Sequence, residues 1–104
     1  MPRDIGMRFN MSDDSTLSQV ALNATTSILV KAAGDDFIFW SITNNSNRDI
    51  WLKLQAASVD NTKKGILIPS GGGYWEMPTS NIFTDEISAM SDQGTGKVVD
   101  ITEY

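Results

Sequence analysis

Residues 37–55 read FIFWSITNNSNRDIWLKLQ, and this stretch decides the fold class that the sequence predicts. On each side of a polar segment, residues 43–49, apolar side chains recur at every second position. A side-chain period of two is the period of a β-strand, whose successive residues point to opposite faces. Two such runs around a polar turn are typical of a β-hairpin. The stretch therefore predicts a hairpin in a protein built from antiparallel strands.

The alternation assigns the two tryptophans of this stretch to different environments. Trp40 shares its face with Ile38 and Ile42, which predicts a position in the core. Trp51 shares its face with Lys53, so it is the better candidate for an exposed contact with a partner. An exposed tryptophan on a sheet can stack on a sugar ring or anchor a protein contact.

The chain on either side of this stretch shows the same pattern. Further strand-like segments, each bounded by turn residues, lie at 27–31, 65–69, 74–77, 82–83, 86–90 and 97–103. We interpret the triglycine run at 71–73 as a hairpin corner, because no Gly-Lys-Ser/Thr sequence leads from it into a helix. Short strands at this spacing predict an all-β fold, an antiparallel β-sandwich or jelly roll of about eight strands.

The amino-terminal segment differs from the rest. Four apolar residues alternate with other side chains between positions 5 and 11, namely Ile5, Met7, Phe9 and Met11. This is a strand pattern, and it fits either the first strand of the domain's own sheet or an arm that pairs with a neighbouring subunit. Residues 17–22 fit a helical turn or a short extended segment. We expect an extended amino-terminal arm and linker at 1–22 and a β-sandwich domain at 23–104.

Composition excludes several kinds of chemistry. The 104 residues include no His and no Cys, so Ser-His-Asp and Cys-His nucleophiles, thiolate zinc sites and disulfides are excluded. Glu76, Glu86 and Glu103 could supply an acid and a base, but nothing in the sequence holds two of them together. We expect no enzymatic activity and no catalytic residue.

Charge and hydropathy narrow the choice of partners. Thirteen acidic residues against eight basic ones give a net charge of −5, which argues against nucleic acid as a partner. The acidic pairs at 13–14, 35–36 and 85–86 match no calcium loop, and we interpret them as solvated turns. We therefore expect no metal and no cofactor. No apolar run is long enough to span a membrane, and residues 1–4 lack a signal-peptide segment, which favours synthesis in a cytosol.

Several segments resemble small virion proteins of tailed bacteriophages. In the first half the similar segments are residues 24–30, 42–46 and 50–52, and in the second half they are residues 65–76, 82–84, 86–89 and 94–104. The resemblance covers residues 24–104 and consists of turns and strand faces. It implies a β-sandwich or jelly-roll protein that decorates or cements a capsid, or that forms a head fibre or tail part, without catalysis.

The implied role sets expectations for partners. A decoration protein would bind the major capsid protein on the outer surface of the virion after synthesis in the host cytoplasm, as a homo-oligomer for which a trimer is favoured. The arm at 5–11 would pair with a neighbouring strand, and Arg3 and Arg8 would meet carboxylates on the shell. The expected contact residues are Arg3, Ile5, Met7, Arg8, Phe9, Met11 and Trp51.

Two alternatives stay open at this point. One is a neck, tail or fibre component of the phage particle built on the same fold. The other is a carbohydrate-binding module in which Trp51 and Tyr74 form a stacking platform on one face of the sandwich.

Overall fold

A computed structural model describes residues 16–34, 39–57, 61–78, 80 and 82–104. Its regular elements are eight β-strands: β1 (Thr16–Asn23), β2 (Ile28–Lys31), β3 (Trp40–Asn44), β4 (Ile50–Lys53), β5 (Ile66–Ile68), β6 (Gly73–Glu76), β7 (Ile87–Ser91) and β8 (Thr95–Glu103). Within these ranges there is no helix that is long and apolar enough to cross a membrane.

The strands form two antiparallel sheets of four strands each. The first sheet has the order β1-β8-β3-β6 and the second has the order β2-β7-β4-β5. The pairing is nested, because β4 pairs with β5, β3 with β6, β2 with β7 and β1 with β8. An antiparallel ribbon that is folded over into two sheets in this way is a jelly roll. The predicted fold class is therefore confirmed.

The hairpin predicted at residues 37–55 is wrong. β3 belongs to the first sheet and β4 to the second, so the chain crosses from one sheet to the other between Asn44 and Ile50. Both strands are apolar on one side because each buries that side in the same core, from opposite directions. Alternation shows that a strand has a buried face, but it does not show whether the next strand lies beside it or across the core.

Two further sequence predictions need correction. The glycine run at 71–73 is not a hairpin corner, because it joins β5 of the second sheet to β6 of the first. Residues 82–83 are not in a strand. Phe83 instead packs against the core, and its backbone N–H donates to Met77 Sδ.

The sandwich begins earlier in the chain than the sequence suggested. Residues 16–23 form β1, which pairs with β8 from Thr16↔Glu103 to Asn23↔Thr95. The extended interpretation of residues 17–22 is thus confirmed, and the domain boundary predicted at residue 23 falls at the end of a strand that belongs to the first sheet. The segment at 5–11 and its predicted contact residues lie outside the described residues.

The core fills the space between the two sheets. Its buried residues are Leu22, Val30, Trp40, Ile42, Ile50, Leu52, Ile68, Met77, Ile87, Ala89, Val99 and Ile101. Trp40 is fully buried, as predicted, and its ring meets that of Trp75 edge to face at a centroid distance of 6.1 Å. Such a contact contributes stability beyond the area that it buries.

Candidate interaction surfaces

One end of the sandwich is fixed by the buried side chain of Asn44. Its Nδ2 donates to the carbonyl of Arg48 at 2.8 Å and to that of Ile68 at 3.0 Å. Its Oδ1 accepts from the N–H of Ser46 at 3.1 Å and from the hydroxyl of Ser46 at 2.7 Å. All four bonds stabilise the crossing from β3 to β4, and one of them ties that crossing to β5.

The crossing from β5 to β6 packs directly against this first crossing. The N–H of Gly72 donates to the Asn44 carbonyl at 2.7 Å, and that of Gly71 to the Ser46 carbonyl at 3.1 Å. The N–H of Ser70 donates to Asp49 Oδ1 at 2.9 Å. The two crossings therefore hold each other in place, and they position β4 and β5 side by side in the second sheet.

The outer face of the second sheet carries Trp51. In the strand register Trp51 lies opposite Leu67 of β5 on one side and opposite Met90 of β7 on the other. Met90 is fully buried, Trp51 is half-buried, and Leu67 is 48% exposed. Trp51 and Leu67 together form an apolar surface at the edge of this sheet, which we call the Trp51–Leu67 patch.

Residues 61 and 63, in the segment between β4 and β5, bond to residues next to other strands of the second sheet. Asn61 Oδ1 accepts from the N–H of Ser27, just before β2, at 2.8 Å, and Lys63 Nζ donates to the carbonyl of Asp92 after β7. Lys53 is buried on this face and donates to the Ser27 hydroxyl at 3.1 Å. Residues 61 and 63 are thus bonded to the chain just before β2 and just after β7.

A row of polar residues crosses the outer face of the first sheet, which also carries the exposed Leu17 and Val98. Gln19, Asp100, Thr43 and Tyr74 lie side by side across its four strands. Both oxygens of the Asp100 carboxylate accept from side-chain amides, Oδ1 from Gln19 at 2.8 Å and Oδ2 from Asn45. Tyr74 is 51% exposed, and its hydroxyl donates to Glu76 at 3.3 Å. The Asp100 carboxylate and the Tyr74 hydroxyl thus have hydrogen-bond partners within the protein.

The stacking platform expected from Trp51 and Tyr74 does not exist. Trp51 lies on the outer face of the second sheet, and Tyr74 lies on the outer face of the first. The two rings therefore face away from each other across the sandwich. One flat sugar ligand cannot contact both.

The three glutamates considered for catalysis are also kept apart. On β3, Glu103 lies opposite Trp40 and Glu76 lies opposite the next residue, Ser41, so the two carboxylates project from opposite faces of the first sheet. Glu86 precedes β7 in the second sheet. In the part of the chain that the structure describes, no group of three or more acidic residues could hold a metal ion.

The sequence interpretation overlooked two residues of these surfaces. Leu67 sits in a short apolar run, and only its register opposite Trp51 shows that it faces outward. Asn44 lies in a polar segment, and its burial depends on the carbonyl of Ile68, which is distant in sequence. The alternation that identified Trp51 could have identified Leu67, because Ile66 and Ile68 flank it on the opposite face.

The fold and its surfaces define the class of protein as a jelly-roll β-sandwich with an apolar patch on the outer face of one sheet and a row of polar residues across the outer face of the other. Comparison of the chain with protein-family models, curated proteins and solved structures found no match.

Proposed function

We propose that this chain is a non-enzymatic structural protein of a tailed-phage particle that binds the outer capsid surface and stabilises contacts between capsomers. The Trp51–Leu67 patch carries this proposal. Jelly rolls serve in viral capsids and in lectins among other proteins, so the fold alone does not assign the function. The choice of a capsid as partner rests on the resemblance to phage virion proteins that the sequence of residues 24–104 suggests.

The physical role follows from mass action. A subunit that binds only the intact shell stabilises that shell, because opening the seam between capsomers requires the subunit to dissociate. Tryptophan is enriched among the residues that dominate protein interfaces, where it lies near the centre of the buried surface. Trp51 already packs between two apolar neighbours, so little side-chain freedom is lost when a partner covers it.

The first test is binding to shells that lack this protein. Purified chain is titrated onto such shells, and bound copies are counted by quantitative gel and by electron cryomicroscopy. We expect saturable binding that raises the melting temperature of the shell. Trp51→Ala should weaken binding by about tenfold to a hundredfold, the range expected for a hot-spot tryptophan.

A second variant and a control separate binding from folding. Trp51→Ala removes packing as well as contact area, whereas Leu67→Lys alters a side chain that is already half exposed and should weaken binding without unfolding the domain. Tyr74→Ala removes an exposed aromatic ring from the opposite sheet and should leave binding unchanged. Unchanged binding of both Trp51→Ala and Leu67→Lys would contradict the proposal.

The same assay tests the amino-terminal arm. Deletion of residues 1–12 should leave a folded β domain, verified by circular dichroism, that no longer decorates shells. Copy number in purified particles tests the location. A number comparable to that of the major capsid protein supports decoration, whereas a few copies at one vertex would support the neck, tail or fibre alternative.

A further inference from the structure

Among the strands that the structure describes, four lie at the edges of the two sheets, and three of these are protected against pairing with another chain. β2 has four residues, with an irregular register and the charged Lys31. β5 has three residues and is followed by Pro69. β6 has four residues, beginning with Gly73 and ending with Glu76. Short edges, charges, proline and bulges are the devices by which sheets avoid edge-to-edge association.

The fourth edge, β1, lacks these devices from Thr16 to Leu22, and its single register shift falls at its last residue, Asn23. Its eight residues read TLSQVALN, with no charge, no proline and no glycine. Its register with β8 is regular from Thr16 to Leu22. Of the strands that the structure describes, only β8 pairs with it. Ser18, Gln19 and Ala21 are exposed, and Leu17 is 73% exposed.

We infer that β1 pairs with β1 of a second copy of this chain, antiparallel and around a twofold axis at Gln19. This register places Leu17 opposite Ala21 of the second copy and Gln19 opposite Gln19 of the second copy, all on the outer face of the joined sheet. The twofold axis makes the interface self-complementary, and no like charges lie opposite each other because the strand has no charged residue. The two first sheets become one continuous sheet of eight strands.

Gln19 suits the position on the axis because its amide can bond both to Asp100 of its own chain and to Gln19 of the second copy. One hydrogen of Nε2 already goes to Asp100 Oδ1 at 2.8 Å. The other hydrogen can donate to Oε1 of the second Gln19, which donates in return. The side chain that fixes Asp100 would thus also close the interface.

This dimer uses a different sheet from the Trp51–Leu67 patch, so substitutions on the two sheets test the two proposals separately. It is a twofold assembly, whereas the sequence favoured a trimer. Pairing along a single strand buries less surface than most stable interfaces, so dimerisation should depend on protein concentration.

Sedimentation velocity over a concentration series tests the inference on the full chain. The wild type should shift from monomer to dimer as concentration rises. Leu17→Lys combined with Ala21→Lys places two ammonium groups opposite each other twice and should abolish the dimer. Leu17→Lys combined with Ala21→Glu places each ammonium group opposite a carboxylate and should restore it, with dissociation constants that differ by at least about tenfold.

Leu67→Lys is the matched control, since it introduces a lysine at an exposed leucine of the other sheet and should leave the dimer intact. A monomeric wild type, or equal behaviour of the two double variants, would overturn the inference. Amide hydrogen exchange needs no substitution. Protection of residues 16–23 should increase with protein concentration, and protection that is independent of concentration would also count against the dimer.

Discussion

Asn44 shows how one polar residue can determine where a jelly roll turns. It is fully buried, and its amide bonds to two carbonyls and to two donors of Ser46. A buried amide whose hydrogen-bonding capacity is used costs little, whereas a buried carbonyl without a donor costs about 1–3 kcal/mol. Asn44 therefore stabilises the crossing between the two sheets through its bonds to Arg48, Ser46 and Ile68.

Replacement of Asn44 should be costly for this reason. Asn44→Ala should lower the free energy of unfolding by about 2–4 kcal/mol, because it removes four hydrogen bonds, to the carbonyls of Ile68 and Arg48 and to two donors of Ser46. Asn45→Ala is the matched control, since it truncates an exposed amide at the next position and should cost less than about 1 kcal/mol. Urea denaturation measures both. Equal losses for the two variants would show that the buried network does not stabilise the crossing.

For single residues, the sequence predicted burial correctly where burial follows from the alternation of apolar and polar side chains alone. Trp40 was assigned to the core by its neighbours two positions away, and it is fully buried. The same reasoning could not find Asn44, because its bonding partner Ile68 comes from another strand and becomes adjacent only when the ribbon folds over. Trp51 was placed on the outer face correctly, but its contacts with Leu67 and Met90 depend on the strand order.

At the scale of elements, the chain has one consecutive pair of strands that lie beside each other in the same sheet, β4 and β5, among those described. The sequence predicted Ile50 as the start of the second arm of a hairpin. In the structure, Ile50 begins the first strand of the hairpin formed by β4 and β5. Its second strand is preceded by Gly65, whose φ of +128° is unfavourable for other residues. A Cβ at this position would overlap the carbonyl oxygen of Leu52.

Gly65→Ala should therefore destabilise the hairpin by both strain and overlap. Gly72→Ala is the control, because Gly72 also has a positive φ, +111°, but has no atom within 4 Å of the added Cβ. Strain alone should cost about 1–3 kcal/mol, and Gly65→Ala should exceed Gly72→Ala by at least about 1 kcal/mol because of the overlap. Thermal unfolding of both variants tests this. A larger loss for Gly72→Ala would contradict the close packing of Gly65 on β4.

In the described part of the molecule the strand pairs are nested, with β4 and β5 as the innermost pair and β1 and β8 as the outermost pair. β4 and β5 are joined by residues 54–65, whereas β1 and β8 bring Thr16 beside Glu103. The spacing of apolar segments predicted seven of the eight described strands and the sandwich, because each strand must bury one face. It could not predict the order of the strands, since nested pairing and simple hairpins give the same alternation along the chain.

This nesting makes a prediction about folding. Closing the short connection between β4 and β5 costs less entropy than closing the loop between β1 and β8, so the inner pair should form before the outer pair. Folding dominated by such distant pairings is expected in about milliseconds to seconds. Leu52→Ala on β4 and Leu22→Ala on β1 are matched probes, because both remove the same buried side chain from the core. Each should destabilise the protein by about 2–5 kcal/mol.

The two variants should differ in kinetics. Leu52→Ala should mainly slow folding, because its contacts are present in the transition state, whereas Leu22→Ala should mainly speed unfolding. Stopped-flow fluorescence can follow both, since Trp40 and Trp75 pack against each other in the core and should report its formation. If Leu22→Ala slowed folding more than Leu52→Ala did, the ribbon would close from its ends, and the order inferred from loop length would be wrong.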